Sequence, residues 1–283
     1  MKIISWKPGT IPKAGKCYSG VPNMEYHSLK EWYSSSMIKH ALRSAESFFY
    51  EINEPSKNSL ALECGTAFHI GMEGLAVSGH MDLFDSEVME CPTATITSKA
   101  CGALKAENSE KAVLPAPEIE KTREMAEKLY FKTRELNYFD EGYPELSFFW
   151  IDQETGLRLK CKIDWFRPDE GGWILDHKST KAHQYESFKK EIANRNYHLS
   201  AAMYREGVKQ VTGLELEDDH YHLLVIANTA PHEVEVYPLD APSMTEGHAL
   251  FRKCLSVIKN YDPEADVIPR TIGLPQWAFK LTS

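Results

Sequence analysis

Two aspartates and a lysine lie where a pair of neighbouring strands would bring them together. Asp164 lies near the end of one strand-like segment, and Asp176 and Lys178 follow after a turn at 168–172. Because residues i and i+2 of a strand share a face, Asp176 and Lys178 project together while His177 faces away. If the strands pair across the turn, the two carboxylates converge beside the lysine. Such a group suits a hard cation such as Mg²⁺, which activates water for attack on a phosphate while the lysine steadies developing charge.

An isolated Asp-x-Lys is also the ordinary pattern of a salt bridge on a solvated strand face. The context favours a site, because the apolar run 173–175 precedes the motif. A strand that is apolar until its last residues is typical of one whose end emerges at a functional cleft. The motif alone therefore does not decide between the two interpretations.

The hydrophobic periodicity indicates which elements must position these side chains. The first 30 residues and the stretch 78–115 are predicted as loop. Helices are predicted at 34–50, 64–77, 118–136, 187–193, 197–211 and 242–260, and strands at 145–151, 157–166, 173–178, 221–227 and 234–237. In the second strand, Arg158, Lys160 and Lys162 are predicted to share a polar face with Asp164. The order indicates a mixed α/β fold with helices packed on a central sheet.

We expect a single domain over 1–283, with an N-terminal helical part at about 18–140 and a catalytic sheet core at about 141–283. The 32 basic and 41 acidic residues give a formal net charge of −9, which excludes a protein that coats nucleic acid through bulk positive charge. The six cysteines include no C-x-x-C pair, which argues against a zinc ribbon. No run of 18 apolar residues and no apolar leader segment occur, so we expect reduced thiols, no membrane association and a cytoplasmic location.

The pattern Asp164…Asp176-x-Lys178 resembles the signature of the PD-(D/E)XK nucleases, and its surroundings resemble the RecE-type (exonuclease VIII) branch of that superfamily. The resemblance spans about residues 18 to 280 and is weakest over 78–115. The segments that carry it besides the signature are 23–27, 34–38, 65–69, 144–147, 154–157, 197–204 and 274–278. It implies a restriction-endonuclease-like core with a central mixed sheet flanked by helices.

The resemblance also implies roles for individual residues. Asp164 and Asp176 would hold Mg²⁺, for which Mn²⁺ can substitute, and Lys178 would be the catalytic lysine. His69 would complete the metal site from its helix, although a lone helical histidine is more often structural. Glu145 either supports the site, or binds a second metal, or is a surface carboxylate at a strand end.

Three residues are implied to contact DNA. The family commonly carries Q-x-x-x-Y after the active-site strand, and here Ser200 stands in place of the glutamine while Tyr204 is kept; Tyr204 would contact nucleic acid or be a partly buried tyrosine. Ser36, near Lys39 in the first helix, would hold a terminal 5′ phosphate, whereas Ser34 is better explained as a helix cap. Residues 178–195 carry five basic and two acidic side chains, which suits a phosphate-tracking surface or a solvated face.

The expected activity is metal-dependent degradation of linear double-stranded DNA from its ends, 5′ to 3′, leaving 3′ single-stranded tails. The resemblance further implies a ring-shaped homo-oligomer, a single-strand annealing (RecT-like) partner, and a bacterial or phage-infected bacterial cytoplasm. Three alternatives remain: an iron–sulfur nuclease of the RecB-like or CRISPR-associated kind, an endonuclease or RNA nuclease, and a fold that binds DNA ends without cutting. The first is disfavoured because Cys254 is the sole cysteine in the C-terminal third.

Overall fold

The chain forms a mixed sheet covered by helices on both faces. The computed structural model describes residues 1–54, 58–169, 171–265, 269 and 271–275. The strands are β1 (Ile3–Ser5), β2 (Lys16–Ser19), β3 (Val88–Glu90), β4 (Ala112–Leu114), β5 (Tyr143–Ile151), β6 (Arg158–Arg167), β7 (Trp173–Thr180), β8 (Tyr221–Ala227) and β9 (Val234–Pro238). The helices are α1 (Asn23–Ser28), α2 (Ser35–Ile38), α3 (Ala45–Glu51), α4 (Leu60–Ser78), α5 (Asp82–Glu87), α6 (Lys99–Glu107), α7 (Ala116–Thr133), α8 (Tyr185–Arg195), α9 (Tyr197–Thr212) and α10 (Ala241–Lys259).

Within the described residues, the main sheet has seven strands in the order β1-β2-β5-β6-β7-β8-β9. The pairs β1–β2 and β7–β8 are parallel, and the other neighbours are antiparallel. The meander β5–β6–β7 occupies the middle of the sheet, as the two predicted turns require. The prediction of a mixed α/β fold with a central mixed sheet flanked by helices is therefore confirmed.

Each face of the sheet has its own apolar core. Successive side chains along a strand point to opposite faces, so each strand contributes residues to both cores. On one face Leu223 and Val225 of β8 pack with Phe251 of α10. On the other face Leu224 of β8 packs with Phe68 of α4. The helices that cover the first face are α9 and α10, and those that cover the second are α4 and α7. In the described part of the chain no helix is long and apolar enough to cross a bilayer.

Two loop predictions are wrong. The first 30 residues contribute β1, β2 and α1, and β2 completes the sheet by pairing with β5. The stretch 78–115 contains α5, β3, α6 and β4, with β3 and β4 forming a separate parallel pair. The strands in both regions are three or four residues long, so they carry too little period-two pattern to be seen. Their hydrogen-bond partners lie far away in the sequence.

The single helix predicted over 34–50 is interrupted. It is resolved into α2, a 3₁₀ turn at Lys39–Leu42, and α3. Ser44 explains the break, because its side chain accepts a hydrogen bond from the Ser47 backbone N–H and so begins α3 as a new helix. The other predicted helices and strands match observed elements to within about four residues at each end. The segment 274–278, part of the family resemblance, falls mainly outside the described residues.

The polar face predicted for β6 is not turned to solvent at its lysines. Lys160 is 1% exposed, and Lys162 is half-buried. The N-terminal segment covers them, and the Lys160 ammonium donates to the backbone carbonyls of Tyr26 and Leu29. Lys162 Nζ donates to the Val21 carbonyl at 2.8 Å. The two lysines therefore fasten the N-terminal segment to the sheet instead of facing water.

Candidate active site

The site forms where β6 and β7 separate. Their paired residues end at Trp165 opposite Leu175, and Asp164 and Asp176 are the next residues on the two strands. Beyond this point the Asp164 carboxylate takes the place of a strand partner, because its Oδ2 accepts the His177 backbone N–H at 2.8 Å. The two aspartates thus occupy neighbouring backbone positions on β6 and β7 where the sheet opens locally.

Lys178 lies beside Asp176 on the α9 side of the sheet. The Lys178 Nζ is 2.6 Å from Asp176 Oδ2, and Asp176 is buried. Burial alone would lower the pKa of Lys178, but the charges of Asp176 and Asp164 outweigh it and raise that pKa. The lysine is therefore a fixed positive charge next to the two carboxylates, as its predicted role requires.

His69 reaches the site from α4. Its neighbours on that helix, Ala67 and Phe68, are buried against the sheet and hold the helix in place. The imidazole Nδ1 is 3.5 Å from Asp164 Oδ1. The structure therefore brings the predicted histidine and the first predicted aspartate together, while the second aspartate is engaged by Lys178.

These side chains suit a divalent cation. An imidazole at His69 and two carboxylates at adjacent strand positions form a donor set of mixed nitrogen and oxygen character. Carboxylates are the ligands that Mg²⁺ and Mn²⁺ prefer, and a single imidazole is tolerated by Mn²⁺. His69, Asp164 and Asp176 are thus the residues that would hold the ion, and Lys178 would stay beside it as a positive charge.

His177, the middle residue of the Asp-x-Lys motif, lies on the other face of β7. Alternation places its ring on the face opposite Asp176, as expected, and that is the face on which α4 packs. The His177 and His69 ring centroids are 6.0 Å apart. Burial lowers the pKa of His177 to about 3, so the ring is neutral. One atom each from His69, Asp164 and His177 forms a group in which all separations are within 4.8 Å.

Glu145 lies inside β5 and is half-buried, so the interpretation as an exposed strand-end carboxylate does not fit its position. Its carboxylate is 3.7 Å from Lys162 Nζ. Burial raises the pKa of Glu145 to about 7; Lys162 opposes that rise and the charge of Asp164 adds to it. Its backbone φ of 48° is uncommon for a residue with a Cβ, and such strain concentrates at functional sites.

Glu73, one helical turn after His69 on α4, belongs to the same group of charges and was missed in the sequence. Burial raises its pKa, and Lys162 and His69 oppose that rise. Its spacing from His69, i to i+4, would have been the signal, because such residues share a helix face.

The residues predicted to contact DNA lie at different depths. Ser36 is exposed in α2, with its hydroxyl 3.0 Å from that of Ser34. Ser200 on α9 is buried. Tyr204 packs against the core, and burial, followed by the charge of Asp176, raises its pKa well above the usual value. Ser36 is therefore accessible to a ligand, whereas Ser200 and Tyr204 are largely withdrawn from solvent.

Lys39 adds a second positive charge near Lys178. Both ammonium groups lie over the ring of Tyr197, at 5.8 Å and 5.2 Å from its centroid. Burial, together with the charge of Lys178, lowers the pKa of Lys39 to about 8. Lys39 and Lys178 form a basic patch beside Asp164 and Asp176. This arrangement suits a phosphodiester that contacts both the basic patch and a metal ion held at the aspartates.

Residues 34–266 match the family described as a PDDEXK-like domain of unknown function (DUF3799). The chain belongs to this family. It is thereby a member of the PD-(D/E)XK nuclease superfamily, whose enzymes typically use divalent metal ions.

Solved structures agree with the fold. A protein from Eubacterium rectale described as a "putative exonuclease" superposes with a TM-score of 0.59 at 16% identity, over 89% of this chain and 96% of that one. A second structure, described as SSO0001, covers 69% of this chain and 86% of its own at 10% identity, and its TM-score of 0.29 carries no argument. No curated protein matches the sequence.

Proposed function

We propose that the protein is a metal-dependent exodeoxyribonuclease of the RecE type that degrades linear double-stranded DNA from its ends. The observation that carries the proposal is the opening between β6 and β7, where Asp164 and Asp176 are adjacent, Lys178 is 2.6 Å from Asp176, and His69 is 3.5 Å from Asp164. Two acidic residues and a lysine are the signature of the superfamily to which the chain belongs, and His69 is the histidine that the RecE-type resemblance implies.

The side chains divide the work of hydrolysis. Mg²⁺ or Mn²⁺ held by His69, Asp164 and Asp176 would neutralise charge on the scissile phosphate and make water a better nucleophile. Lys178, charged beside Asp176, orients the attacking water and stabilises the negative charge that develops on phosphorus oxygens. Lys39 binds a neighbouring phosphate and holds the strand in register.

Action at DNA ends with 5′ to 3′ polarity is supported by the RecE-type resemblance and by the description of the Eubacterium rectale structure as an exonuclease. The same resemblance supports 3′ single-stranded tails as product, Ser36 as a contact to the terminal 5′ phosphate, a ring-shaped homo-oligomer, and a RecT-like annealing partner. Ser36 is exposed next to the patch that contains Lys39, as a phosphate contact must be.

The test uses one linear duplex labelled at either its 5′ or its 3′ end, with Mg²⁺ or Mn²⁺. We expect rapid release of a 5′ label as mononucleotide, slow loss of a 3′ label, and no cutting of a covalently closed circle of the same sequence. Cutting of the circle would show an endonuclease, and cutting of an RNA duplex an RNA nuclease. End binding without digestion in either metal would show a non-catalytic protein, and each of these results contradicts the proposal.

A further inference from the structure

His177 is a buried histidine with an unused ring nitrogen. It is 3% exposed, and its Nε2 has no hydrogen-bond partner among the residues that the structure describes. Buried polar atoms are nearly always paired, because an unpaired one loses its water without compensation. An open ring nitrogen that also lies close to other metal-binding groups is a candidate ligand, and His177 meets both conditions.

The surroundings of the ring identify that ligand. His177 projects from β7 toward α4, and its ring lies between those of His69 and Phe139, with centroid distances of 6.0 and 6.2 Å. Donor atoms of His69, Asp164 and His177 lie within 4.8 Å of one another. Three donors this close are within small side-chain movements of a common ion, because metal–nitrogen and metal–oxygen bonds of about 2.0–2.2 Å place two ligands up to about 4.4 Å apart.

We infer that the His177 imidazole is a ligand, together with His69 and Asp164, of the divalent ion at this site, and that the second imidazole makes the site select Mn²⁺ over Mg²⁺. The inference rests on the proposed function for the presence of the ion. A second imidazole added to His69 and the aspartates gives the donor set more nitrogen character and borderline softness, which favours first-row transition metals. Mg²⁺ prefers oxygen donors and is disfavoured by each added nitrogen.

The sequence context shows why this arrangement is specific to His177. The middle residue of Asp-x-Lys alternates away from the two functional side chains, and its neighbours on that face, Leu175 and Leu224, are apolar and buried. A leucine here would complete the apolar layer under α4. The histidine instead places a ring nitrogen near His69, and an apolar side chain at this position would have no atom that can bind a metal ion.

The experiment counts nitrogen ligands directly. Metal-free protein is loaded with Mn²⁺ in the absence of DNA and examined by electron spin echo envelope modulation, and its Mn²⁺ and Mg²⁺ affinities are measured by calorimetry. We expect two directly coordinated ¹⁴N nuclei in the wild type and one in His177→Leu and in His177→Gln. We also expect each variant to bind Mn²⁺ at least about tenfold more weakly, with little change for Mg²⁺.

The matched control is His198→Leu, which replaces another buried histidine whose Nδ1 also lacks a partner in the described structure and which lies on α9 outside the group. It is expected to keep both nitrogens. The glutamine variant retains a polar side chain, so it reports on ligation if the leucine variant does not fold.

Two results would overturn the inference. Either a wild-type spectrum with one or no coordinated nitrogen, or His177 variants that bind Mn²⁺ as the wild type does, shows that the ring is a packing residue. If those variants bind metal normally while Asp176→Asn abolishes digestion, the inference fails and the proposed nuclease stands. If no divalent ion binds the wild type, both fail.

Discussion

Asp164 links the two halves of the candidate site. One of its oxygens accepts the His177 backbone N–H at 2.8 Å, and the other faces His69 at 3.5 Å. A carboxylate that is already held by a backbone N–H has few rotamers left to lose when it binds an ion. We therefore expect Asp164 to be pre-organised, whereas Asp176 must give up part of its contact with Lys178 to join the ion.

The charge of Lys39 predicts how DNA binding depends on pH. Burial is the main reason that its pKa is lowered to about 8. The side chain therefore carries a positive charge below that pH and loses the charge as the pH rises through it. We expect the affinity for 5′-phosphorylated duplex to fall between pH 7 and pH 9, by about tenfold if one phosphate contact is lost. Fluorescence anisotropy in EDTA, which prevents digestion, measures this directly.

The control for that experiment is Lys39→Met, which removes the titrating group. The variant should bind weakly at pH 7 and show a flat profile to pH 9. An identical fall in affinity for the variant and the wild type would show that Lys39 is not the group responsible.

At the scale of elements, the N-terminal segment is held to β6 by Lys160. Its ammonium donates to the Tyr26 and Leu29 carbonyls and lies 4.5 Å from the centroid of the Tyr26 ring. Lys160→Met leaves both carbonyls buried without a donor, so we expect the free energy of unfolding to fall by about 1–3 kcal/mol. Urea unfolding checks this, with Lys16→Met on the exposed face of β2 as a control that should change little. Equal stabilities of the two variants would contradict it.

The packing of α9 against α10 gives a second prediction at this scale. A Cβ at Gly247 of α10 would overlap the His198 carbonyl oxygen of α9. Gly247→Ala should therefore separate the two helices and destabilise the fold by about 1–3 kcal/mol. The matched control is Gly102→Ala in α6, where a Cβ meets nothing within 4 Å, and which should stabilise the protein by up to about 1 kcal/mol. Thermal unfolding measures whether each variant is less or more stable than the wild type. Stabilisation by Gly247→Ala would show that α9 and α10 do not pack as described.

The sequence was informative where a segment is long enough to repeat its period. The strand β6 and the helices α4, α7, α9 and α10 were predicted because each shows several turns or alternations of an apolar pattern, and β8 was predicted from its continuous apolar run. The short strands β1 to β4 were missed, since three or four residues owe their conformation to a distant partner.

The same limit applies to the site. Asp176 and Lys178 were found because they share a strand face by spacing alone, and their 2.6 Å contact agrees with that. The position of His177 beside His69, and the burial of Lys160 and Lys162, depend on which element covers which face. That information comes from tertiary packing and has no local signature in the sequence.

At the scale of the whole molecule, a net charge of −9 limits how DNA can be held. If the protein is the proposed nuclease, its affinity for DNA is expected to come from a few local cations such as Lys39 and Lys178, because the net charge repels the duplex. We expect a modest salt dependence, with a slope of log K against log salt concentration of about −2 to −4. Anisotropy titrations at several salt concentrations measure the slope, and a value steeper than about −6 would indicate a bulk basic surface instead.

We propose that Lys178 acts in the chemical step beside an ion held by other residues. The direct test is the rate of single-turnover digestion of a labelled linear duplex by Lys178→Met, together with Mn²⁺ affinity measured on the same protein. We predict that the variant binds Mn²⁺ as the wild type does but digests at least about 100-fold more slowly. Lys253→Met, an exposed lysine on α10, should digest normally. Digestion by Lys178→Met at the wild-type rate would show that Lys178 takes no part in the chemical step.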